Sequence, residues 1–237
     1  MTARCEKIEI HGGDGSFAAY CAIPEHPKPV AVLVLQEIFG VNANIRDIVD
    51  MFADAGYPAI APDLYWRQAP GIELNPGSEQ DRARAMELMK GLDRASGVAD
   101  GAAALAALRQ RAPGLTRSAA IGYCFGGGVA YLMAARNMVD TGIAYYGTYL
   151  HMMLDEAAGL EGRLLLHIAG EDHLCPPEAQ QKIADALAPL GARAEIIVHP
   201  GAGHAFARRG GASFDQPAAD RANERTMAAL ASLADMA

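Results

Sequence analysis

The sequence predicts an α/β fold built on a mainly parallel sheet of about eight strands with helices on its faces. Three observations carry that expectation. Short, nearly unbroken apolar runs such as Val30-Ala31-Val32-Leu33-Val34-Leu35 and Leu164-Leu165-Leu166-His167-Ile168 read as strands covered on both sides. Stretches of helical period stand between such runs, and Gly- or Pro-containing turns separate the two kinds of segment. Finally, 237 residues, 51% of them hydrophobic, suit one large domain spanning 1–237.

Residues 7–10 and 16–23 are extended runs around His11-Gly12-Gly13-Asp14-Gly15, which predicts an antiparallel hairpin at the sheet edge. The run 29–35 is a buried strand ending in Gln36-Glu37-Ile38-Phe39-Gly40. Ile45, Ile48, Val49 and Phe52 then recur at i, i+3, i+4 and i+7 with Gly56 beyond them, the pattern of a crossover helix and its stop. Residues 58–63 give the next strand. Segment 64–78, with Pro70, Gly71, Pro76 and Gly77, has no period and reads as a long loop, a place where function concentrates. Helices are predicted over 80–92 and 98–108, with Ala85, Met86, Leu88 and Met89 as core contacts of the first. Strands over 118–123, 142–146, 163–169 and 194–198 follow, interleaved with helices over 129–136 and 177–190 and closed by one over 217–236.

A formal charge of −8 without a basic cluster argues against a nucleic-acid partner. No apolar run is long enough to cross a bilayer, and Met1-Thr2-Ala3-Arg4-Cys5-Glu6 lacks the apolar core of a signal peptide, so no membrane partner and a cytoplasmic location are expected. Cys5, Cys21, Cys124 and Cys175 show no CxxC spacing, which predicts unbridged thiols and no zinc site. A monomer without cofactor or metal is the resulting expectation.

The stretch Ala119-Ala120-Ile121-Gly122-Tyr123-Cys124-Phe125-Gly126 reads as strand, sharp turn, helix, the nucleophile elbow with cysteine in place of the usual serine. Taken alone, Cys124 is equally well a small buried residue in a glycine-rich turn. The glycines do not fit a dinucleotide fingerprint or a P-loop. Context favours chemistry, because Glu37, Cys124, Asp172 and His204 all fall just past the carboxyl end of a predicted strand, where ligands of such sheets bind. Cys124, Asp172 and His204 also follow the nucleophile, acid, histidine order of α/β-hydrolases. A thiolate needs a neighbouring imidazole to hold or create it near neutral pH, and the aspartate would fix that ring's tautomer. The amides of Ile38 and Phe125 would form the oxyanion hole. The alternatives are a turn-forming Asp172, a solvated His204, a helix-capping Glu37 and a metal at Asp172-His173, the last without a supporting ligand spacing.

Over most of its length the chain resembles dienelactone hydrolases (carboxymethylenebutenolidases). The likeness lies in Gln36-Glu37-Ile38-Phe39-Gly40-Val41-Asn42, Pro62-Asp63-Leu64-Tyr65, Arg67-Gln68-Ala69-Pro70-Gly71, Gly122-Tyr123-Cys124, Asp172-His173, Ala202-Gly203-His204 and Asn223-Glu224-Arg225-Thr226. The resemblance implies an α/β-hydrolase fold and a metal-free reaction that opens the dienelactone ring to maleylacetate in chloroaromatic breakdown. It implies that Glu37 holds the resting thiol and helps deprotonate it once substrate arrives. It also implies that Arg82 and Arg208 grip the carboxylate of a small lactone, with Phe39, Tyr145, Met86 and Ala205 lining the pocket. Met86 and Ala205 depart from the family's tyrosine and serine, so the preferred lactone is expected to differ before the reaction type does. The competing readings are a related esterase or lactonase, and a non-catalytic binding protein on the same fold.

Overall fold

The computed structural model describes residues 4–237; residues 1–3, half of the stretch read above for a leader, lie outside them. The chain opens with the expected hairpin, β1 (Arg4–His11) and β2 (Ser16–Ile23). Six further strands are β3 (Val30–Leu35), β4 (Ala59–Pro62), β5 (Arg117–Tyr123), β6 (Thr141–Tyr145), β7 (Arg163–Ala169) and β8 (Ala194–His199). They complete one eight-stranded sheet of order β1-β2-β4-β3-β5-β6-β7-β8, parallel from β4 to β8 and antiparallel at the hairpin.

Helices cover both faces, which is why β3 needs no polar residue and is buried throughout. Its alternate residues divide between two cores, as the period of two requires. Val30, Val32 and Val34 pack with Ile45, Val49 and Phe52 of α1 (Ala43–Asp54) and Leu230 and Leu233 of α6 (Gln216–Ala234). Ala31, Leu33 and Leu35 face Val98 and Leu105 of α3 (Arg94–Arg111), Val129 of α4 (Phe125–Ala135) and Ile183 of α5 (Pro177–Leu187).

Several boundaries differ from the sequence reading, each for a local reason. α3 starts at Arg94 rather than 98, because the Asp93 carboxylate accepts the amide of Ser96 at 2.9 Å and caps an extra turn. α5 stops at Leu187 rather than 190, where Ala188–Arg193 tightens into 3₁₀ turns. α2 (Glu79–Lys90) buries Ala85 and Leu88 but leaves Met86 42% exposed, so Met86 is not the core contact expected of it. Segment 64–78 is indeed a loop, held by Asp63, whose carboxylate accepts the amides of Tyr65 at 2.9 Å and Gly71 at 2.7 Å. Among the described residues no helix is long and apolar enough to cross a membrane.

The connection from β5 to α4 sets the position of everything near Cys124. α4 begins at Phe125, earlier than the expected 129, so the chain reverses at a single residue, and Cys124 takes φ 53° and ψ −114°. Such a turn brings backbones into contact. A Cβ on Gly122 would lie 1.9 Å from the Gly126 carbonyl oxygen, and one on Gly126 would lie 2.4 Å from that of Leu35. Gly122→Ala is therefore expected to destabilise the protein by at least about 3 kcal/mol, the upper end of overpacking costs, measured by denaturant unfolding. Gly71→Ala, with no atom within 4 Å of the new methyl, carries only the strain of its φ of +72° and serves as the mild control.

Candidate active site

β4 follows β3 on one side of the sheet, whereas β5 pairs with β3 on the other, so the carboxyl ends of β3 and β5 flank a topological switch point. Gln36-Glu37-Ile38 leaves β3 on one side of this crevice, and Cys124 leaves β5 on the other. The two walls are tied together. The amide of Gly126 donates to the Gln36 carbonyl at 3.1 Å, the Gln36 side-chain oxygen accepts the amide of Leu64, and the Tyr65 hydroxyl donates to the Ile38 carbonyl at 3.1 Å. The amides of Ile38 and Phe125 find no acceptor among the described residues, which leaves both donors available to a ligand oxygen.

Asp172 and His204 come from the turns after β7 and β8. The Gly170 amide bonds the His199 carbonyl at 2.9 Å and the Glu171 amide bonds the Ala202 carbonyl at 2.9 Å, so the two turns form one platform. On it, His204 Nδ1 lies 2.8 Å from Asp172 Oδ2, while the other carboxylate oxygen accepts the Leu174 amide at 2.9 Å. Asp172 is 4% exposed. Burial alone would depress the imidazole, but the bond to Asp172 and the adjacent sulfur of Cys124 outweigh it and raise the pKa of His204 to about 10. Its Nε2 is buried without a hydrogen-bond partner, next to Cys124, which is itself 5% exposed.

Glu37 departs from the expectation attached to it. Both carboxylate oxygens are taken by Arg208, at 2.7 Å from Nε and 2.9 Å from a terminal nitrogen, and no hydrogen bond joins Glu37 to Cys124. Arg208 is correspondingly not a free carboxylate receptor in this state. Phe39 supports it from below, with the guanidinium 5.0 Å from the ring centroid. Among the described residues Arg82 has no ion-pair partner, and it lines a recess of about 690 Å³ together with Arg208, Arg209, Ala205 and Asn42. Met86 lies one helical turn from Arg82, on the exposed side of α2. Ala205 holds φ 65°, a conformation that costs a side-chain-bearing residue about 1 kcal/mol.

Tyr145 was expected in the pocket, and the structure corrects this. Its hydroxyl is turned into α6, 2.9 Å from Asn223 Oδ1 and 2.7 Å from Thr226 Oγ1. The residue that sequence reasoning missed is its neighbour. Tyr146, with φ 40°, packs its ring against His204 with centroids 5.2 Å apart, and its buried hydroxyl has no partner. His167 within β7 and His199 at the end of β8 are buried and joined by a 3.2 Å bond, with His167 reaching Thr226 through its other nitrogen. Burial keeps both neutral, pushing His167 down to about 3.

A mostly parallel eight-stranded sheet with a cysteine at a strained β5–α4 elbow and a carboxylate–imidazole pair at its switch point defines an α/β hydrolase. Solved structures share the fold: the chain superposes on a dienelactone hydrolase from Anabaena variabilis with a TM-score of 0.67 over 96% of each chain at 16% identity. It superposes on a dienelactone hydrolase-like promiscuous phosphotriesterase from metagenomic libraries with a TM-score of 0.79, covering 98% of this chain and 99% of that one at 20% identity. At these identities the likeness speaks to the fold alone. The model of the dienelactone hydrolase family matches residues 17–233, and the chain belongs to that family. It is 38% identical to the carboxymethylenebutenolidase of Pseudomonas putida over 231 residues, covering 96% of this chain and 97% of that one. It is 35% identical over 223 residues to carboxymethylenebutenolidase 1 of Cupriavidus pinatubonensis, covering 93% and 94%.

The raised basicity of His204 has a defined sign. A folded-state pKa of about 10 against an ordinary 6.5 means that the pair with Asp172 stabilises the fold fully below about pH 6.5 and loses that contribution as pH rises toward 10. Asp172→Asn is expected to lower the imidazole midpoint by more than about one unit in an NMR titration. It should cost about 1.5–3 kcal/mol of stability at acidic pH and progressively less in alkali. A midpoint that stays near its original value would show that the carboxylate is not what holds the proton.

Proposed function

We propose that the protein is a cysteine hydrolase that opens the lactone ring of dienelactone to maleylacetate, with Cys124 as nucleophile, His204 as base and Asp172 as its orienting acid. The observation that carries this reading is the convergence at one switch point of the strained Cys124, the Asp172–His204 pair and the Glu37–Arg208 pair. The family and the similar carboxymethylenebutenolidases supply the substrate class.

The substrate carboxylate docks on Arg82 and competes with Glu37 for the bidentate face of Arg208. Glu37, released from a buried pair, is then a base within the same crevice and accepts the thiol proton of Cys124. The thiolate attacks the lactone carbonyl, and the oxyanion takes the two unused amides of Ile38 and Phe125. Collapse re-forms the carbonyl as a thioester and breaks the ring C–O bond, expelling an enolate that takes the proton of the His204 imidazolium, leaving that ring neutral, and tautomerises to the ketone. An enolate leaves far more readily than an alkoxide, which is why a thiolate suffices. Water deprotonated by His204 then adds to the thioester, releasing the second carboxylate and the thiolate. The orphaned hydroxyl of Tyr146 stands beside this ring and is free to donate to bound substrate.

Ala205 gives the recess one hydroxyl fewer than the resemblance implies, and Met86 is exposed outside the recess lining, which favours a lactone other than dienelactone itself as a second reading. Turnover of cis- and trans-dienelactone compared with simple aryl esters separates the two. Cys124→Ala is expected to abolish lactone turnover with an unchanged unfolding midpoint; retained turnover would sink the proposal. Arg82→Met is expected to raise KM for a carboxylate-bearing lactone by about tenfold, as loss of one charged hydrogen bond implies, and to leave an uncharged aryl ester unaffected.

A further inference from the structure

Arg94, the first residue of α3, is held in a way that the reaction described above does not explain. Its guanidinium carbon lies 4.9 Å from the ring centroid of Phe125 and 5.4 Å from that of Tyr149. Its Nε is buried without a hydrogen-bond partner, and among the described residues no carboxylate forms an ion pair with the side chain. Pairing is otherwise the rule for the partly buried arginines of this acidic chain: Arg46, Arg67, Arg117, Arg136, Arg208 and Arg225 each hold a carboxylate.

Its position makes the isolation more costly still. A Cβ on Gly128 would lie 3.4 Å from Arg94 Nε, so the side chain lies along the first turn of α4. That turn is the positive end of a helix, where a cation is unfavourable. Burial opposes the charge as well. The two flanking rings return only part of these costs, through attraction of the guanidinium to their faces. What the location offers is an anion. Phe125 directly follows Cys124, and Tyr149 directly follows Thr148, whose amide bonds the Cys124 carbonyl at 3.1 Å.

We propose that Arg94 is a positioning residue for the nucleophile: its unpaired guanidinium, clamped between Phe125 and Tyr149 against the first turn of α4, favours the ionised sulfur of Cys124. The groups that bear on that sulfur come from several elements. His204 faces it from the turn after β8, Tyr146 from the end of β6, Tyr65 from the loop after β4, and Arg208 from the loop before α6. The charge of Arg208 is cancelled by Glu37 in the resting state. Among the described residues the guanidinium is flanked by the rings of Phe125 and Tyr149, and Asp93 beside it is spent on the amide and hydroxyl of Ser96. Arg94 is therefore the neighbouring cation whose charge is not already neutralised.

The inference rests on Cys124 as the reacting residue, and its test does not use the lactone. Alkylation of Cys124 by iodoacetamide is followed as a function of pH and read by peptide mass spectrometry, so that the exposed Cys5 does not contribute. Cys21 and Cys175 are held back by burial, which pushes their thiols up to about 12 and about 11. Arg94→Met is expected to move the Cys124 midpoint up by about one unit, Arg94→Lys to leave it within about 0.3 unit, and kcat/KM at neutral pH to fall about three- to tenfold in the Met variant alone. The thermal midpoint of Arg94→Met should hold or rise, since an uncompensated charge is removed. An unmoved alkylation midpoint in Arg94→Met, or an equal shift in Arg94→Lys, overturns the proposal. If Arg94→Met fails to fold, Arg94→Gln gives the same reading. Failure of the hydrolase assignment would show instead in lactone turnover by Cys124→Ala, leaving this comparison intact.

Discussion

Contact between backbones at Gly122 and Gly126 is the constraint from which the rest of the site follows. Because no side chain separates β5 from the first turn of α4, the chain reverses within one residue and that residue is driven into a conformation few side chains adopt. The same approach brings the Gly126 amide onto the Gln36 carbonyl, which fixes the start of the loop carrying Glu37 and Ile38. One steric fact thus sets Cys124, the Ile38 amide and the neighbouring Glu37 carboxylate at once. The stiffness of the sheet beneath, buried on both faces, keeps those positions from relaxing.

Electrostatics then divides the site into two halves. On the β7–β8 side, Asp172 and His204 form a pair that favours a protonated imidazole at rest. On the β3 side, Glu37 and Arg208 neutralise one another in a pair that is buried and doubly hydrogen-bonded. Removing one member of such a pair costs about 3–5 kcal/mol, so an incoming carboxylate that exchanges for Glu37 meets a receptor already built to hold one.

Much of this was legible in the sequence, and the parts that were not share a physical reason. The apolar runs located the central parallel strands, because helices on both faces leave no room for polar alternation, and the turn cluster at residues 11–15 located the edge hairpin. The Cys124, Asp172, His204 order and the position of each at a strand end were likewise readable, since topology alone brings strand ends together. Pairings between distant residues were not: Glu37 and Arg208 stand 171 positions apart, and nothing local to either announces the other. The adjacent tyrosines show the same limit on a smaller scale. Residues 145 and 146 both pack on Phe206, and which of them meets His204 depends on the left-handed step at Tyr146. The isolation of Arg94 is invisible in sequence because it is defined by carboxylates that are elsewhere.

Beneath the site, Asn223, Tyr145, Thr226, His167 and His199 form a continuous run of hydrogen bonds from α6 through β6 and β7 to β8. Each interior member both gives and receives, in surroundings that admit no solvent to replace a lost neighbour. Drift at any one of these positions strands the next, so the five are constrained to change together or to stay. The closing helix is thereby welded to the floor of the crevice by heritable grammar as much as by packing, and lineages exploring new substrates have their freedom at the rim, in α2 and the loop around Ala205, rather than here.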